Sequence, residues 1–116
     1  MVSLEDKIYI KQVLDGDTSS FTHIVEKYKD MVFTVVFRIV QQHEDAEEIA
    51  QDTFIKAYNN LQSFKGDSKF STWIYTIAYR NAISKVKLKK IDTVNEDYLL
   101  EQGGDVDFPQ LEILRE

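Results

Sequence analysis

The segment EDAEEIAQDTFIKAY (Glu44–Tyr58) decides how this chain folds. Ala46, Ile49, Ala50, Thr53, Phe54, Ala57, Tyr58 and Leu61 recur at i, i+3, i+4 and i+7 without a gap. That spacing predicts a helix over about Asp45–Leu61 with this stripe inward. Asp45, Glu48, Gln51, Asp52 and Ile55 then fall on other faces and point outward. Carboxylates in the first turns suit the helix dipole, which accounts for Asp45, Glu47 and Glu48. It does not account for Asp52 or for an outward Ile55. Single exposed apolar residues are common, but one beside carboxylates marks a contact site for another molecule.

Downstream, QSFKGDSKF (residues 62–70) reads as a turn-rich loop with Gly66 at its tip. Phe64 in that loop either plugs the core or faces a ligand. A further helix, KFSTWIYTIAYRNAISKVKLK (about Lys69–Lys89), follows. Phe70, Ile74, Ile77 and Ala78 are its inward residues, and Trp73 lies at the edge of that stripe.

Charge divides the chain along the same lines. Residues 1–43 carry net −1, 44–64 net −4, 65–90 net +6 and 91–116 net −7. A basic, aromatic segment thus sits between two acidic ones. Solvated helix faces would explain any single charge run. A +6 segment containing Phe, Trp and Tyr has the composition of a surface for unstacked bases and phosphates. The overall net charge of −6 argues against a free-standing duplex-DNA binder, which is usually basic as a whole.

Upstream, two more helices are expected and no strands. The first covers about Leu4–Leu14, with Leu4, Ile8, Val13 and Leu14 inward. Gly16 and Asp17 end it, and Asp17 or Ser19 can cap the next. The second covers about Ser20–Gln42. Phe21, Ile24, Val25, Tyr28, Met31, Val32, Val35 and Ile39 form one apolar stripe, and Phe33, Val36, Phe37 and Val40 form another. A helix apolar on two sides is central, so its aromatics are assigned to the core. The fold class is therefore all-α, a four-helix bundle of one domain over residues 1–90. Residues 91–116 read as an acidic, partly ordered linker or tail. Its ending, LEILRE, looks like the start of another helix, so the chain is expected to be a piece of a longer protein or a naturally short variant.

Several functions are disfavoured. The chain has no cysteine, so it has neither disulfides nor a thiolate metal site, which fits a reducing, cytoplasmic setting. The longest apolar run, Met31–Phe37, is interrupted by Thr34 and ends at Arg38, so no membrane insertion is expected. There is no phosphate-binding glycine loop, zinc-protease helix or nucleophile elbow. His23 and His43 are isolated, so no metal or other cofactor is expected. The sequence favours a binding module over an enzyme.

The runs DAEEIAQDTF and FSTWIYTIAY, preceded by FTHIVEKYKDMVF, resemble the second conserved region of bacterial sigma factors. The resemblance is closest to the extracytoplasmic-function (ECF) group and covers about Leu14–Lys90. It implies a compact helical domain that binds core RNA polymerase, with Asp45, Glu48, Gln51, Asp52 and Ile55 on the clamp's coiled coil. It also implies recognition and melting of the promoter −10 element. A base of the single-stranded non-template strand would be flipped into a pocket made largely by residues 63–70. Phe64, Lys65, Lys69, Ser71, Thr72, Trp73, Tyr75, Thr76, Tyr79, Arg80 and Lys87 would contact the DNA. An anti-sigma factor is a further implied partner. The alternative reading is a protein-interaction module whose main partner is that inhibitor. The group's second domain, a helix-turn-helix that reads the −35 element, is not present in this sequence.

Four positions depart from the group's pattern. Arg80 stands where Asn is frequent, Thr76 where Arg is, Ser84 where Asp is, and Lys87 where Arg is. These lie in the DNA-reading helix and bear on promoter preference. Aromatic stacking contributes about 1–3 kcal/mol per base, and extracting a base costs a few kcal/mol. The domain alone should therefore bind duplex promoter weakly, with polymerase holding the open strand in place.

Overall fold

A computed structural model of the chain describes residues 2–93, with side chains described as far as residue 90. The expected acidic tail lies, apart from the end of the last helix, outside the described residues. Among the described residues there are four α-helices and no strand: α1 (Leu4–Leu14), α2 (Phe21–Val40), α3 (His43–Asn59) and α4 (Phe70–Thr93). Short 3-10 turns at Thr18–Ser20 and Leu61–Ser63 join them.

Local chemistry sets the helix ends. Ser3 caps α1, its Oγ accepting the Asp6 N–H at 3.2 Å, with Glu5 and Asp6 in the first turn. Gly16, at φ 112, ends it in a conformation that suits glycine. Asp17 precedes the 3-10 turn and accepts from the Ser19 and Ser20 hydroxyls at 2.6 and 3.0 Å. α2 stops at Gln41, a non-glycine residue in the left-handed region at φ 57, whose N–H reaches the Phe37 carbonyl at 2.8 Å. Gln42 is extended, and α3 begins immediately after it.

The core runs between α2, α3 and α4, which contact one another pairwise. Ile24, Val32 and Val36 of α2 meet Ala46, Ile49 and Ala57 of α3 and Phe70, Ile74, Ala78 and Ala82 of α4. Four of these are alanines with no exposed surface, which lets the helices approach closely. The central position expected for α2 is observed.

Some expectations are overturned. α1 faces α2 with Asp6, Ile10 and Val13, whereas Leu4 (74 % exposed), Ile8 and Leu14 face solvent. The apolar spacing of α1 misled because its inward face contains a carboxylate. Asp6 is buried where it accepts from Tyr28 Oη and, at 2.9 Å, from Lys27 Nζ. Burial and the bond to Asp6 push the Tyr28 phenol up to about 12, and the bond to Asp6 raises the Lys27 ammonium. Phe37 and Tyr58, assigned inward, are each 40 % exposed. Tyr58 sits at the end of α3, edge-on to Phe21. The two ends predicted for α3 move to His43 and Asn59, with Leu61 buried in the 3-10 turn beyond.

Candidate nucleic-acid interface

Three aromatic rings meet where the 64–69 loop enters α4. Phe70 is buried and stacks on Trp73, with centroids 5.5 Å apart and planes at 28°. Phe64 packs edge-on to Phe70 at 5.1 Å and tilted against Trp73 at 5.3 Å. Phe70 also meets Tyr28 of α2 at 5.9 Å. The cluster is thus rooted through Phe70, Tyr28 and Asp6, while Phe64 and Trp73 remain half-buried over it. The two readings left open for Phe64 are compatible: it packs on the core cluster and keeps an outer surface.

Two clefts flank this loop. One, of about 320 Å³, is lined by Ser3, Asp6, Lys27, Tyr28, Lys69 and Ser71 among others. The other, of about 330 Å³, lies between α1 and Phe64, Lys65 and Gly66. Sequence reasoning missed Asp6, Lys27 and Tyr28 as neighbours of the loop. The available signal was an inward tyrosine whose buried hydroxyl needs a partner.

Along α4 the predicted contact residues separate by face. Trp73, Thr76, Arg80 and Lys87, spaced by three, four and seven residues, share one side. Arg80 and Lys87 are exposed, and the Thr76 hydroxyl donates to the Thr72 carbonyl at 2.9 Å. Ser71, Thr72 and Tyr75 are half-buried. Burial raises the Tyr75 phenol, against the opposing field of Arg38. Tyr79, expected at the DNA surface, is buried and serves the fold. Lys65 and Lys69 are exposed in the loop.

Two further cations of α4, Lys85 and Lys89, are turned onto α3. Lys56 Nζ donates to Asn81 at 2.8 Å, and Asn81 in turn donates to the buried Thr53 hydroxyl at 3.3 Å. Lys85 lies 3.6 Å from Glu48. Lys89 is paired with Asp45 and also donates to Gln42 at 2.9 Å. Asn81, Lys85 and Lys89, four residues apart, thus form a polar seam between α3 and α4. Asp45 was expected to point outward. Instead its side chain is only 18 % exposed, and the bond from Lys89 holds its carboxyl below the usual range.

The outer face of α3 keeps Gln51, Asp52 and Ile55 exposed, Ile55 by 57 %. Beside it, a cleft of about 490 Å³ is lined by Lys29, Asp30, Phe33, His43, Glu47, Ala50 and Gln51. Phe33 stacks on Phe37 at 5.8 Å and meets the His43 ring at 5.3 Å, and His43 Nδ1 lies 2.7 Å from Glu47. Assigning every α2 aromatic to the core hid this surface. Its sequence trace is the second apolar stripe, which places Phe33 and Phe37 one turn apart.

No helix among the described residues is long and apolar enough to cross a membrane, and no cluster of potential metal ligands occurs among them.

Comparison with known proteins follows the same residues. The family model Sigma-70 region 2 matches residues 24–90. The ECF RNA polymerase sigma factor SigW of Bacillus subtilis is 45 % identical over 83 residues, spanning 72 % of this chain and 44 % of that protein. The ECF RNA polymerase sigma-E factor of Haemophilus influenzae is 33 % identical over 120 residues, spanning 96 % of this chain and 63 % of that protein. The chain therefore spans about half the length of these relatives. An NMR structure of an engineered region 2 of sigmaE in complex with GTAAAA has a TM-score of 0.62 and 33 % identity, covering 89 % of this chain and 94 % of that one.

Proposed function

Because this chain belongs to the Sigma-70 region 2 family, and within it to the ECF sigma factors, we propose that it is the part of a transcription initiation factor that recognises the promoter −10 element. It is a binding module with no chemical step of its own. It docks on core RNA polymerase through the clamp's coiled coil, using Glu48, Gln51, Asp52 and Ile55 of α3. Asp45 sits at the rim of that face. The DNA ligand is the single-stranded non-template strand. Its bases rest on Phe64 and Trp73, one of them flipped out against the 63–70 loop, while Lys65, Lys69 and Lys87 carry the phosphates and Arg80 contacts the strand from the Trp73 side of α4. Ser71, Thr72, Tyr75 and Thr76 line the same stretch of α4, with Tyr79 supporting them from within. The protein works in the cytoplasm.

The observation that supports this most is the half-buried Phe64–Trp73 pair, held from beneath by Phe70 and bordered by exposed cations. An aromatic platform inside a positive rim is the general device for holding single strands. The solved relative bound to GTAAAA is consistent with it. An anti-sigma factor fits as a second protein partner, favoured by the exposed apolar residues of α1 and α3.

Two measurements test the proposal. Titration of the isotope-labelled chain with GTAAAA should move the Trp73 indole and the 64–69 amides. Shifts spread evenly over the surface, or none, would reject the DNA reading. Capture of core polymerase should fall with Asp52→Lys, and undiminished capture would reject α3 as the docking face.

A further inference from the structure

Four of the five cations of α4 fall into two groups. Lys85 and Lys89 lie against α3 and are engaged by Glu48 and Asp45. Arg80 and Lys87 lie on the exposed side, and among the described residues neither has an ion pair. A guanidinium that is exposed and unpaired loses no intramolecular partner when a ligand arrives.

Its position is defined by Trp73. Arg80 follows Trp73 by seven residues, so it lies about 10 Å further along the same side of α4. That is about three nucleotides at the 3.4 Å stacked repeat, and fewer for a stretched strand. Between them, Thr76 commits its hydroxyl to the Thr72 carbonyl. Lys87 presents only a point charge. On this line Arg80 is therefore the side chain with a planar fork of donors available for a base edge. Two parallel N–H donors match the O6 and N7 acceptors of guanine. Adenine offers N7 beside an amino donor and mismatches one of them.

We propose that Arg80 is a specificity-determining residue that selects a guanine in the bound strand. This rests on the reading of α4 as the strand-binding helix.

The test uses the whole chain and its single tryptophan as the fluorescent reporter. Single-stranded hexamers of adenine, each with one guanine placed at successive positions, are titrated in turn. One position should bind about tenfold tighter as guanine than as adenine. Replacing that guanine by 7-deazaguanine, which lacks the N7 acceptor, should remove most of the gain. Arg80→Ala should weaken binding of the guanine hexamer about tenfold more than binding of the all-adenine hexamer. A guanine preference that survives Arg80→Ala or 7-deazaguanine overturns the assignment, as does its absence at every position. Arg80→Ala weakening all hexamers by one common factor also overturns it, because that is the signature of a phosphate contact. Failure of the wild-type chain to bind any hexamer rejects the strand-binding reading and the assignment together, whereas binding without base preference rejects only the assignment.

Discussion

Lys89 of α4 closes on the carboxylate of Asp45 in α3, across 44 residues of chain. The polar seam it belongs to uses part of the acidic face to neutralise part of the basic one. The bond from Lys89, followed by the fields of Lys89 and Lys85, keeps Asp45 ionised below its ordinary 3.8. A carboxyl depressed in the folded state stabilises the fold above its unfolded pKa and gives that up as pH falls through the folded value. Asp45→Asn should therefore lower the melting temperature slightly at neutral pH. The difference from wild type should shrink towards zero well below pH 3.8. Thermal unfolding at two pH values checks this, and a purely outward Asp45 would leave both unchanged.

The Asp6–Tyr28–Lys27 group responds at the opposite end of the pH scale. The phenol titrates near 10 when unfolded and near 12 when folded, so the fold favours its neutral form. Lys27 is raised from 10.5 in the folded state. Both contributions are complete below about pH 10 and are lost as pH rises through the folded values. Stability measured by denaturant should fall between about pH 10 and 12, and Tyr28→Phe should flatten that fall. At neutral pH the same substitution should cost about 2 kcal/mol, because it removes a hydrogen bond to a buried carboxylate.

Gln41 ends α2 in the left-handed region, where a Cβ is unfavourable. Gln41→Gly should raise stability by about 1 kcal/mol, net of the entropy that glycine adds to the unfolded chain. Chemical denaturation should show a higher midpoint with an unchanged slope.

The aromatic cluster separates stability from binding. Phe70→Ala removes a ring with 1 % exposure and should cost about 3–5 kcal/mol of stability. Phe64→Ala should cost less stability, yet weaken single-stranded oligonucleotide binding by about 1–3 kcal/mol if a base stacks there. Trp73→Ala should do the same, followed by isotope-labelled titration because it removes the fluorophore. Equal losses of stability and affinity across all three variants would argue that the cluster is only core.

Helix existence and type were legible because the α2 and α3 stripes are long and unbroken. The inward residues of α4, Phe70, Ile74 and Ala78, were read from the same 3.6-residue period. What periodicity could not supply was pairing at a distance. Asp6 reads as polar and therefore outward until Lys27 and Tyr28 are brought to it. Asp45 reads as a free carboxylate until Lys89 arrives from α4. Phe33 and Phe37 read as core because hydrophobicity does not say which members of an apolar stripe keep an outer surface, whereas Val36 of the same stripe is fully buried. At the site, the folded chain is what distinguishes Arg80, on the side of α4 that carries Trp73, from the salt-bridged Lys85 and Lys89.

The Gln41–Gln42 turn also bears on the order in which the chain folds. With two residues between them, α2 and α3 meet at small loop-closure cost, so their pairing is local and fast. α4 must close a longer loop before its contacts form. The helical hairpin of α2 and α3 should therefore form ahead of α4, and pulse-labelled amides of the hairpin should gain protection before those along α4. On the proposed function, the helix assigned to the DNA strand is then the last of the three core helices to dock.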